Sequence, residues 1–247
     1  VLFRSMRNAN KDAIQKTKVA IIGAGFGGLA MAIRLLQSQI NDFVILEKTN
    51  DVGGTWRENQ YPGAACDVQS HMYSLSFAPK TDWSKRYAEA DEIFGYIQDI
   101  TEQYKLKDYC KFDHEVTHAE FDENRNVWTI EFKDQPTLEA QFVIFASGPL
   151  HVPQIPHIKG IEKFKGKVFH SSKWEHDYDL SGKSVASIGT GGSAIQYIPE
   201  IAPEVKQLYV FQRTAAWVIP RDERKYSQLS KTLFKASNIY RQIHRTR

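Results

Sequence analysis

A glycine-rich turn between a strand pattern and a helix pattern constrains this chain more than any other feature of its sequence. Lys18–Ile22 is a short apolar run typical of a buried strand, and it leads directly into Gly23-Ala24-Gly25-Phe26-Gly27-Gly28. In such a turn Gly23 permits the sharp change of direction, Gly25 lets the backbone approach a pyrophosphate, and Gly28 lets the helix pack closely on the strand. The helical pattern that follows extends through Ser38.

An acidic residue completes this first turn. Phe43–Leu46 predicts a second buried strand, and Glu47 follows it, 24 residues after Gly23. A carboxylate at that place can accept a hydrogen bond from a ribose hydroxyl of a bound dinucleotide. We therefore predict an adenine-dinucleotide site of the FAD type on Gly23, Gly25, Gly28 and Glu47.

The same architecture recurs later in the chain. Ser184–Ile188 predicts a strand, and Gly189-Thr190-Gly191-Gly192-Ser193-Ala194 follows it, with alanine where only close packing is needed. Leu208–Phe211 predicts the next strand, and Arg213 stands 24 residues after Gly189, where the first copy has an acid. A guanidinium binds a 2′-phosphate that a carboxylate would repel, and Thr214 adds a hydroxyl donor. Residues 189–193, Arg213 and Thr214 thus predict an NADPH site, with an ordinary surface arginine as the alternative for Arg213.

Two such sites in one chain are typical of flavin reductases and flavin monooxygenases, which the fold alone does not separate. Disulfide reductases share the architecture but need two redox cysteines at close spacing, whereas Cys66 and Cys110 are 44 residues apart. Two cysteines also give neither a disulfide framework nor a cysteine-rich metal site. The sequence therefore favours a flavin enzyme without a dithiol centre.

The charge distribution argues against a nucleic acid as partner. The 247 residues carry a net charge of +3, but Arg221–Arg247 holds eight basic and two acidic residues, which leaves 24 basic and 27 acidic residues elsewhere. A slightly acidic body with a basic C-terminal helix, starting at about Tyr226, indicates a solvated helix face rather than a basic footprint. No run reaches the roughly 18 apolar residues of a membrane span. We expect a cytoplasmic protein that binds neither nucleic acid nor membrane, and the sequence leaves its oligomeric state open.

The order of elements predicts an α/β fold with two Rossmann-like, three-layer dinucleotide-binding domains, the second truncated. We expect a disordered N-terminal extension over residues 1–17 and an incomplete FAD-binding domain over residues 18–148. A proline-marked linker over residues 149–182 then leads to the start of an NADP-binding domain over residues 183–247.

Within the first domain the pattern predicts several further elements. Residues 51–86 have weak periodicity and are expected to wrap a ligand. Asp91 is a plausible N-cap for a helix that carries Ile93, Ile97 and Ile100 at helical spacing. Three runs predict a meander with a turn at residues 122–126, and a fourth predicts another buried strand; these runs are Lys111–Glu115, Thr117–Phe121, Val127–Phe132 and Gln141–Phe145.

Three segments carry longer motifs. Phe164, Gly166, His170 and Trp174 stand at the spacing F-x-G-x3-H-x3-W, and Glu175 comes next. The second segment has the pattern G-G-x-W-x4-Y-P-G-x3-D, with the residues Gly53, Gly54, Thr55, Trp56, Tyr61, Pro62, Gly63 and Asp67. The third runs from Phe211 through Gln212, Arg213 and Thr214 to Trp217 and Pro220.

These segments resemble the Baeyer–Villiger monooxygenases of the flavin-containing monooxygenase superfamily, over about Lys18–Arg221. Trp174 is typical of that branch, whereas the N- and S-oxidising relatives have tyrosine or phenylalanine there; Glu175 departs from the proline or aspartate of the fingerprint. The resemblance implies that NADPH reduces FAD and that O2 forms a C4a-peroxyflavin. One oxygen atom is then inserted into a ketone to give an ester or lactone. Oxygenation of an amine or sulfide is the alternative.

The resemblance also implies roles for individual residues. Thr55, Trp56, Asp67 and Tyr73 would lie by the flavin, and Val116 would contact FAD through its backbone. Asp67 is the implied catalytic residue, since it would orient an active-site arginine beside the flavin. His170 and Trp174 would couple NADPH binding to domain movement.

Plainer structural roles compete with each of these assignments. Trp56 and Trp174 are also compatible with core aromatics, His170 with a structural histidine and Asp67 with a turn cap. Chains of this family run to about twice this length, so we expect an N-terminal part. Such a part would lack the arginine and would be at most a dinucleotide-binding module without turnover.

Overall fold

The computed structural model describes residues 14–149, 152–215, 217 and 221–245. Contacts divide the chain into two compact units, one of residues 1–55 and 97–151 and the other of residues 56–96 and 152–247. The α/β fold class is confirmed. Residues 56–96, expected within the FAD-binding domain, fall in the second unit. No helix in the described ranges is long and apolar enough to cross a lipid bilayer.

The described residues form the following elements. The strands are β1 (Gln15–Ile22), β2 (Phe43–Leu46), β3 (Cys110–Lys111), β4 (Val116–Asp122), β5 (Val127–Phe132), β6 (Leu138–Phe145), β7 (Ser184–Ile188) and β8 (Gln207–Phe211). The helices are α1 (Phe26–Gln37), α2 (Thr55–Glu58), α3 (Ala90–Gln103), α4 (Ala194–Ile201), α5 (Gln228–Ala236) and α6 (Asn238–Arg245). Short 3-10 turns lie at Leu106–Tyr109, Ile161–Lys163 and Ser171–Lys173.

The first unit is built on a six-stranded sheet in the order β3-β2-β1-β6-β5-β4. β1 lies between β2 and β6 and runs parallel to both, so that Val19 is opposite Phe43 on one side and Phe142 on the other. All four residues of β2 are buried, as expected for a parallel strand covered on both faces. A buried cluster beside β1 consists of Ala20, Val44, Leu46, Ile130, Leu138 and Ala140.

The chain becomes regular earlier than the sequence indicates. Residues 15–17 were expected to be disordered, but they begin β1 and pair in parallel with Leu138, Glu139 and Ala140 of β6. The side chains of residues 15–17 are polar, so a hydrophobicity pattern does not mark the start of the strand. The backbone hydrogen bonds to β6 form regardless of side-chain polarity. Residues 1–13 of the expected extension lie outside the described ranges.

The expected meander is only partly correct. β4, β5 and β6 are antiparallel neighbours, and the turn at residues 122–126 is confirmed because the Asp122 carboxylate accepts bonds from the amides of Asn124 and Arg125. The run Lys111–Glu115 is not part of it. β3 ends at Lys111 and pairs in parallel with β2 at the opposite edge of the sheet.

Two further expectations need correction. β6 begins at Leu138 rather than Gln141, and its Phe142 and Phe145 side chains are more than half exposed, so this strand is not buried along its length. Asp91 is not an N-cap, since α3 already begins at Ala90. Asp91 instead lies in the first turn, where a carboxylate interacts favourably with the helix dipole.

The second unit contains a two-stranded parallel sheet and the C-terminal helices. β7 and β8 pair from Ser184 opposite Gln207 to Ile188 opposite Phe211. The basic C-terminal segment is two helices rather than one, because Ser237 has an extended backbone between α5 and α6. It is also more than a solvated face: Phe234 is fully buried and its ring lies 3.6 Å from that of His71.

Candidate functional site

The first glycine turn has a backbone that excludes side chains at two positions. Gly23 has φ of +106°, and a Cβ placed on it would lie 2.6 Å from the Ala146 carbonyl oxygen. A Cβ on Gly28 would overlap the carbonyl oxygen of Gly23 itself. Gly25 is the N-cap of α1, and the first turn of α1 contains no acidic residue. No carboxylate of the first turn therefore competes with an anionic group, such as a pyrophosphate, for the amides at this end of the helix.

Glu47 lies beside this turn, as the spacing predicts. It is buried, and its Oε2 accepts a hydrogen bond of 2.9 Å from the Ala24 amide. Its Oε1 accepts from both the amide and the hydroxyl of Thr49, at 3.0 and 2.8 Å. A carboxylate has about four acceptor positions, so the described residues leave Oε2 able to accept one more hydrogen bond.

The start of the second motif lies against the same turn. The Gly53 amide donates to the Ala24 carbonyl at 3.0 Å, and a Cβ on Gly54 would lie 3.1 Å from Gly25 Cα. Thr55, which follows, is the exposed first residue of α2. Val116 is half-buried at the start of β4, opposite Phe132. The first unit thus brings the glycine turn, Glu47 and the Gly53-Gly54 segment together.

Three residues expected beside the flavin lie in the second unit. Trp56 Nε1 donates to the Tyr73 hydroxyl at 3.1 Å, and the two rings meet edge to face at 5.5 Å. Burial raises the pKa of Tyr73, and the nearby Asp67 charge raises it further. Asp67 is exposed, and its carboxylate has no hydrogen bond or ion pair with the described residues. This free carboxylate does not cap a turn in the part of the chain that is described.

The second glycine turn repeats the backbone contacts of the first. Gly189 has φ of +102°, and its amide donates to the Phe211 carbonyl at 2.8 Å, as the Gly23 amide does to Leu46 at the same distance. The turn is more open, because a Cβ on Gly189, Gly191 or Gly192 would meet nothing within 4 Å. Ala194, in the close-packing position, is buried and begins α4. Ser193 is the N-cap without a side-chain bond.

The residues expected at the 2′-phosphate lie just beyond β8. Arg213 and Thr214 are both exposed. The residue before them, Gln212, donates from Nε2 to the Thr190 hydroxyl at 2.9 Å. The end of β8 therefore contacts the second glycine turn through a side chain, as Glu47 contacts the first, and the role of Arg213 stays a prediction.

The fingerprint residues form a local structure in the second unit. The exposed Phe164 ring lies over Gly166, where a Cβ would be 2.6 Å from the ring atoms. His170 Nδ1 accepts from the Ser172 amide and caps a 3-10 turn. The Trp174 ring packs at 5.2 Å from Phe169 and 5.3 Å from Tyr197. The departing residue Glu175 forms an ion pair with Lys167 at 2.6 Å.

Sequence reasoning missed two polar residues that organise these turns. Thr49 holds the Glu47 carboxylate, and Gln196 on α4 bonds to the Tyr61–Ala65 segment. Neither belongs to a glycine motif or to a fingerprint. Only the folded chain brings their side chains to their partners.

We predict that Gly28→Ala destabilises the nucleotide-free protein by about 1–3 kcal/mol or more, because the new methyl group overlaps the Gly23 carbonyl oxygen. Gly95→Ala is the matched control: it too lies inside a helix, but a Cβ there meets nothing within 4 Å. That change should stabilise by up to about 1 kcal/mol. Urea unfolding followed by circular dichroism measures both, and equal midpoints for the two variants would contradict this account of the turn.

Comparison with known proteins places these features in a family. Residues 20–238 match the family described as pyridine nucleotide-disulphide oxidoreductase. A curated Baeyer–Villiger monooxygenase of Streptomyces coelicolor is 48% identical over 222 residues, which cover 90% of this chain and 43% of that protein. The chain therefore spans less than half the length of this relative.

Solved structures of monooxygenases are also similar to this chain. A steroid monooxygenase bound to NADP superimposes with a TM-score of 0.84 at 37% identity, covering 92% of this chain and 44% of that one. OTEMO in complex with FAD and NADP gives a TM-score of 0.83 at 32% identity, covering 93% and 44%. With the family match extending over most of its length, the chain belongs to the pyridine nucleotide-disulphide oxidoreductase family, and within it is similar to the Baeyer–Villiger monooxygenases.

Proposed function

We propose that this chain is the nucleotide-binding part of an FAD- and NADPH-dependent monooxygenase of the Baeyer–Villiger type. The reaction converts a ketone, O2, NADPH and a proton into an ester or lactone, NADP+ and water. The observation that carries this proposal is the pair of matching glycine turns, one followed by Glu47 and the other by Arg213. The names of the relatives support it, since they include Baeyer–Villiger monooxygenases and proteins bound to FAD and NADP.

The residues at the first turn fit an FAD pyrophosphate. Glycine at positions 23 and 28 lets the turn close and α1 pack directly on β1, and Glu47 Oε2 retains the capacity to accept from a ribose hydroxyl. Bound flavin would supply electron transfer and oxygen activation, which no side chain provides. Thr55, Trp56, Tyr73 and the backbone of Val116 are proposed to lie beside it.

The residues at the second turn fit NADPH. The amides at the start of α4 would face the pyrophosphate, with Gly189, Thr190, Gly191, Gly192 and Ser193 forming the cradle. Arg213 would bind the 2′-phosphate, and Thr214 would donate to it. Both side chains are exposed and therefore accessible to a ligand.

Asp67 is proposed to orient a cation beside the flavin. Its exposed carboxylate has no ion-pair partner among the described residues, so it can accept from an arginine elsewhere in a protein of the relatives' length. We assign the ketone, rather than an amine or sulfide, from the resemblance at Trp174 and the names of the relatives. A cytoplasmic location belongs to the same proposal, because Cys66 and Cys110 are both free thiols.

We expect the 247-residue protein, incubated with FAD and freed of excess by gel filtration, to retain the visible absorbance of flavin. Gly28→Ala should retain less, and Gly95→Ala should match the wild type. A chain that is folded by circular dichroism but colourless would contradict an FAD site on these residues.

Turnover is expected only from a protein as long as the relatives, which should convert a cyclic ketone in preference to a thioether. Steady-state ester formation by the 247 residues alone would contradict our assignment of an active-site arginine outside them. Preferential oxidation of the thioether would instead favour S-oxygenation.

Arg213→Ala should weaken NADPH binding about 10- to 100-fold and leave NADH binding nearly unchanged, because a charge-assisted hydrogen bond contributes about 1.5–3 kcal/mol. Isothermal titration with both nucleotides measures this difference. Arg224→Ala, at another exposed arginine of the same unit, is the control and should bind both nucleotides like the wild type. An equal loss for NADPH and NADH would refute a 2′-phosphate contact.

Both thiols should react slowly with a disulfide reagent, unlike the cysteine pair of a disulfide reductase. Burial raises the pKa of Cys66, and burial reinforced by the Glu47 charge raises the pKa of Cys110 to about 12. At pH 8 the Cys110 thiolate fraction is then about 10⁻⁴, roughly 10³-fold below that of a thiol at its ordinary value. If both thiols of the native protein react as fast as they do in urea, a disulfide reductase with a redox cysteine pair is favoured instead.

A further inference from the structure

A glutamine on α4 holds the backbone of the segment that leads to Asp67. Gln196 Nε2 donates to the Ala65 carbonyl at 2.8 Å, and Gln196 Oε1 accepts from the Ala65 amide at 3.2 Å. The same Oε1 accepts from the Tyr61 hydroxyl at 3.0 Å. A primary amide that pairs with both polar groups of one residue fixes the position and the direction of that backbone.

The segment also lies directly on the backbone of α4. Gly63 has φ of +71°, and a Cβ on it would lie 2.9 Å from the Gln196 carbonyl oxygen and 2.8 Å from Glu200 Cγ. Glycine is therefore required twice at this position, for its conformation and for the close approach. The three hydrogen bonds of Gln196 and this contact join α4 to residues 61–65.

Aromatic contacts connect the same helix to the fingerprint. The Tyr197 ring lies 5.3 Å from Trp174 and 6.2 Å from Tyr61, both between ring centroids. The Tyr197 hydroxyl shares a 2.8 Å hydrogen bond with Ser187 on β7. One turn of α4 therefore contacts the strand before the second glycine turn, the fingerprint tryptophan and the segment that precedes Asp67.

The chain between Ala65 and Asp67 has little freedom to absorb a shift. The Cys66 amide donates to the Ala88 carbonyl at 2.9 Å, and the Cys66 carbonyl accepts from Arg221 Nη2 at 3.2 Å. The Arg221 guanidinium in turn lies 4.6 Å from the centre of the Tyr87 ring. The backbone from Ala65 to Asp67 is therefore held by a hydrogen bond at each of its peptide groups, and those of Ala65 are held by α4.

We propose that Gln196 is a positioning residue that couples nucleotide binding at the start of α4 to the placement of Asp67. The coupling rests on the proposed function, since it requires NADP at the second glycine turn. Gln196 touches neither cofactor in this proposal; it acts through the Ala65 peptide. Occupancy of the turn and the position of the Asp67 carboxylate are then linked reciprocally.

The first test uses nucleotide-free protein and does not depend on the proposed function. NMR measures backbone amide exchange at Ala65 in the wild type, Gln196→Ala and Gln196→Glu, with Gln98→Ala as a matched glutamine in the exposed middle of α3. Gln196→Ala removes all three bonds of Gln196 and should lower the protection of the Ala65 amide about tenfold, because that amide loses its Oε1 acceptor. Gln196→Glu keeps the acceptor but loses the donor and should fall between, while Gln98→Ala should match the wild type. Unchanged protection of Ala65 in Gln196→Ala would overturn the clamp.

The second test adds NADP+ to the same proteins. In the wild type we expect NADP+ to change the amide exchange of Ala65, Cys66 and Asp67. In Gln196→Ala we expect NADP+ still to bind, by titration calorimetry, but to leave those three amides unchanged. The same response in both proteins would overturn the coupling. If the wild type does not bind NADP+, the proposed function fails at its second site and the coupling fails with it, whereas the first test still decides the clamp on Ala65.

Discussion

The close approach of Gly28 to the carbonyl oxygen of Gly23 is the constraint on which the first unit depends. This contact lets α1 start immediately after β1, and the Gly23 amide then reaches Leu46 at the end of β2. The strand after the helix is thereby placed so that the Glu47 carboxylate meets the Ala24 amide. A methyl group at residue 28 would displace the Gly23 carbonyl, and the amides of Gly23 and Ala24, which make the other two contacts, lie on either side of that carbonyl.

The second turn makes the same backbone contact with less steric constraint. Its amide contact to the end of the next strand has the same length, but its glycines face open space and α4 begins only at Ala194. The tight approach occurs further along, where Gly63 lies on the Gln196 carbonyl. In the second unit the close backbone approach is therefore on the segment before Asp67, and not in the glycine turn itself.

Local patterns predicted those elements whose signal is carried by adjacent residues. The two glycine turns, β2, β7 and the turn at Asp122 were predictable because a conformation only glycine adopts, a continuous apolar run or an Asx turn is encoded within a few positions. The start of β1 at Gln15 was not, since its partners on β6 lie more than 120 residues away. The place of β3 at the far edge of the sheet depends on β2, 65 residues earlier, and Phe234 packs in the basic tail against His71, 163 residues earlier.

The sequence by itself determined the α/β class, the two glycine turns and the charge that follows each of them. Those properties depend on the types of residues at short, fixed spacing along the chain, and such spacing does not depend on tertiary contacts. Only the tertiary structure decided that Thr49 donates a hydrogen bond to the Glu47 carboxylate and that Trp56 donates one to the Tyr73 hydroxyl. The same is true of the hydrogen bond from Gln196 to the Ala65 carbonyl. A glutamine can pair with any peptide group, so its partner, 131 residues away along the chain, is chosen by the packing that brings the two together.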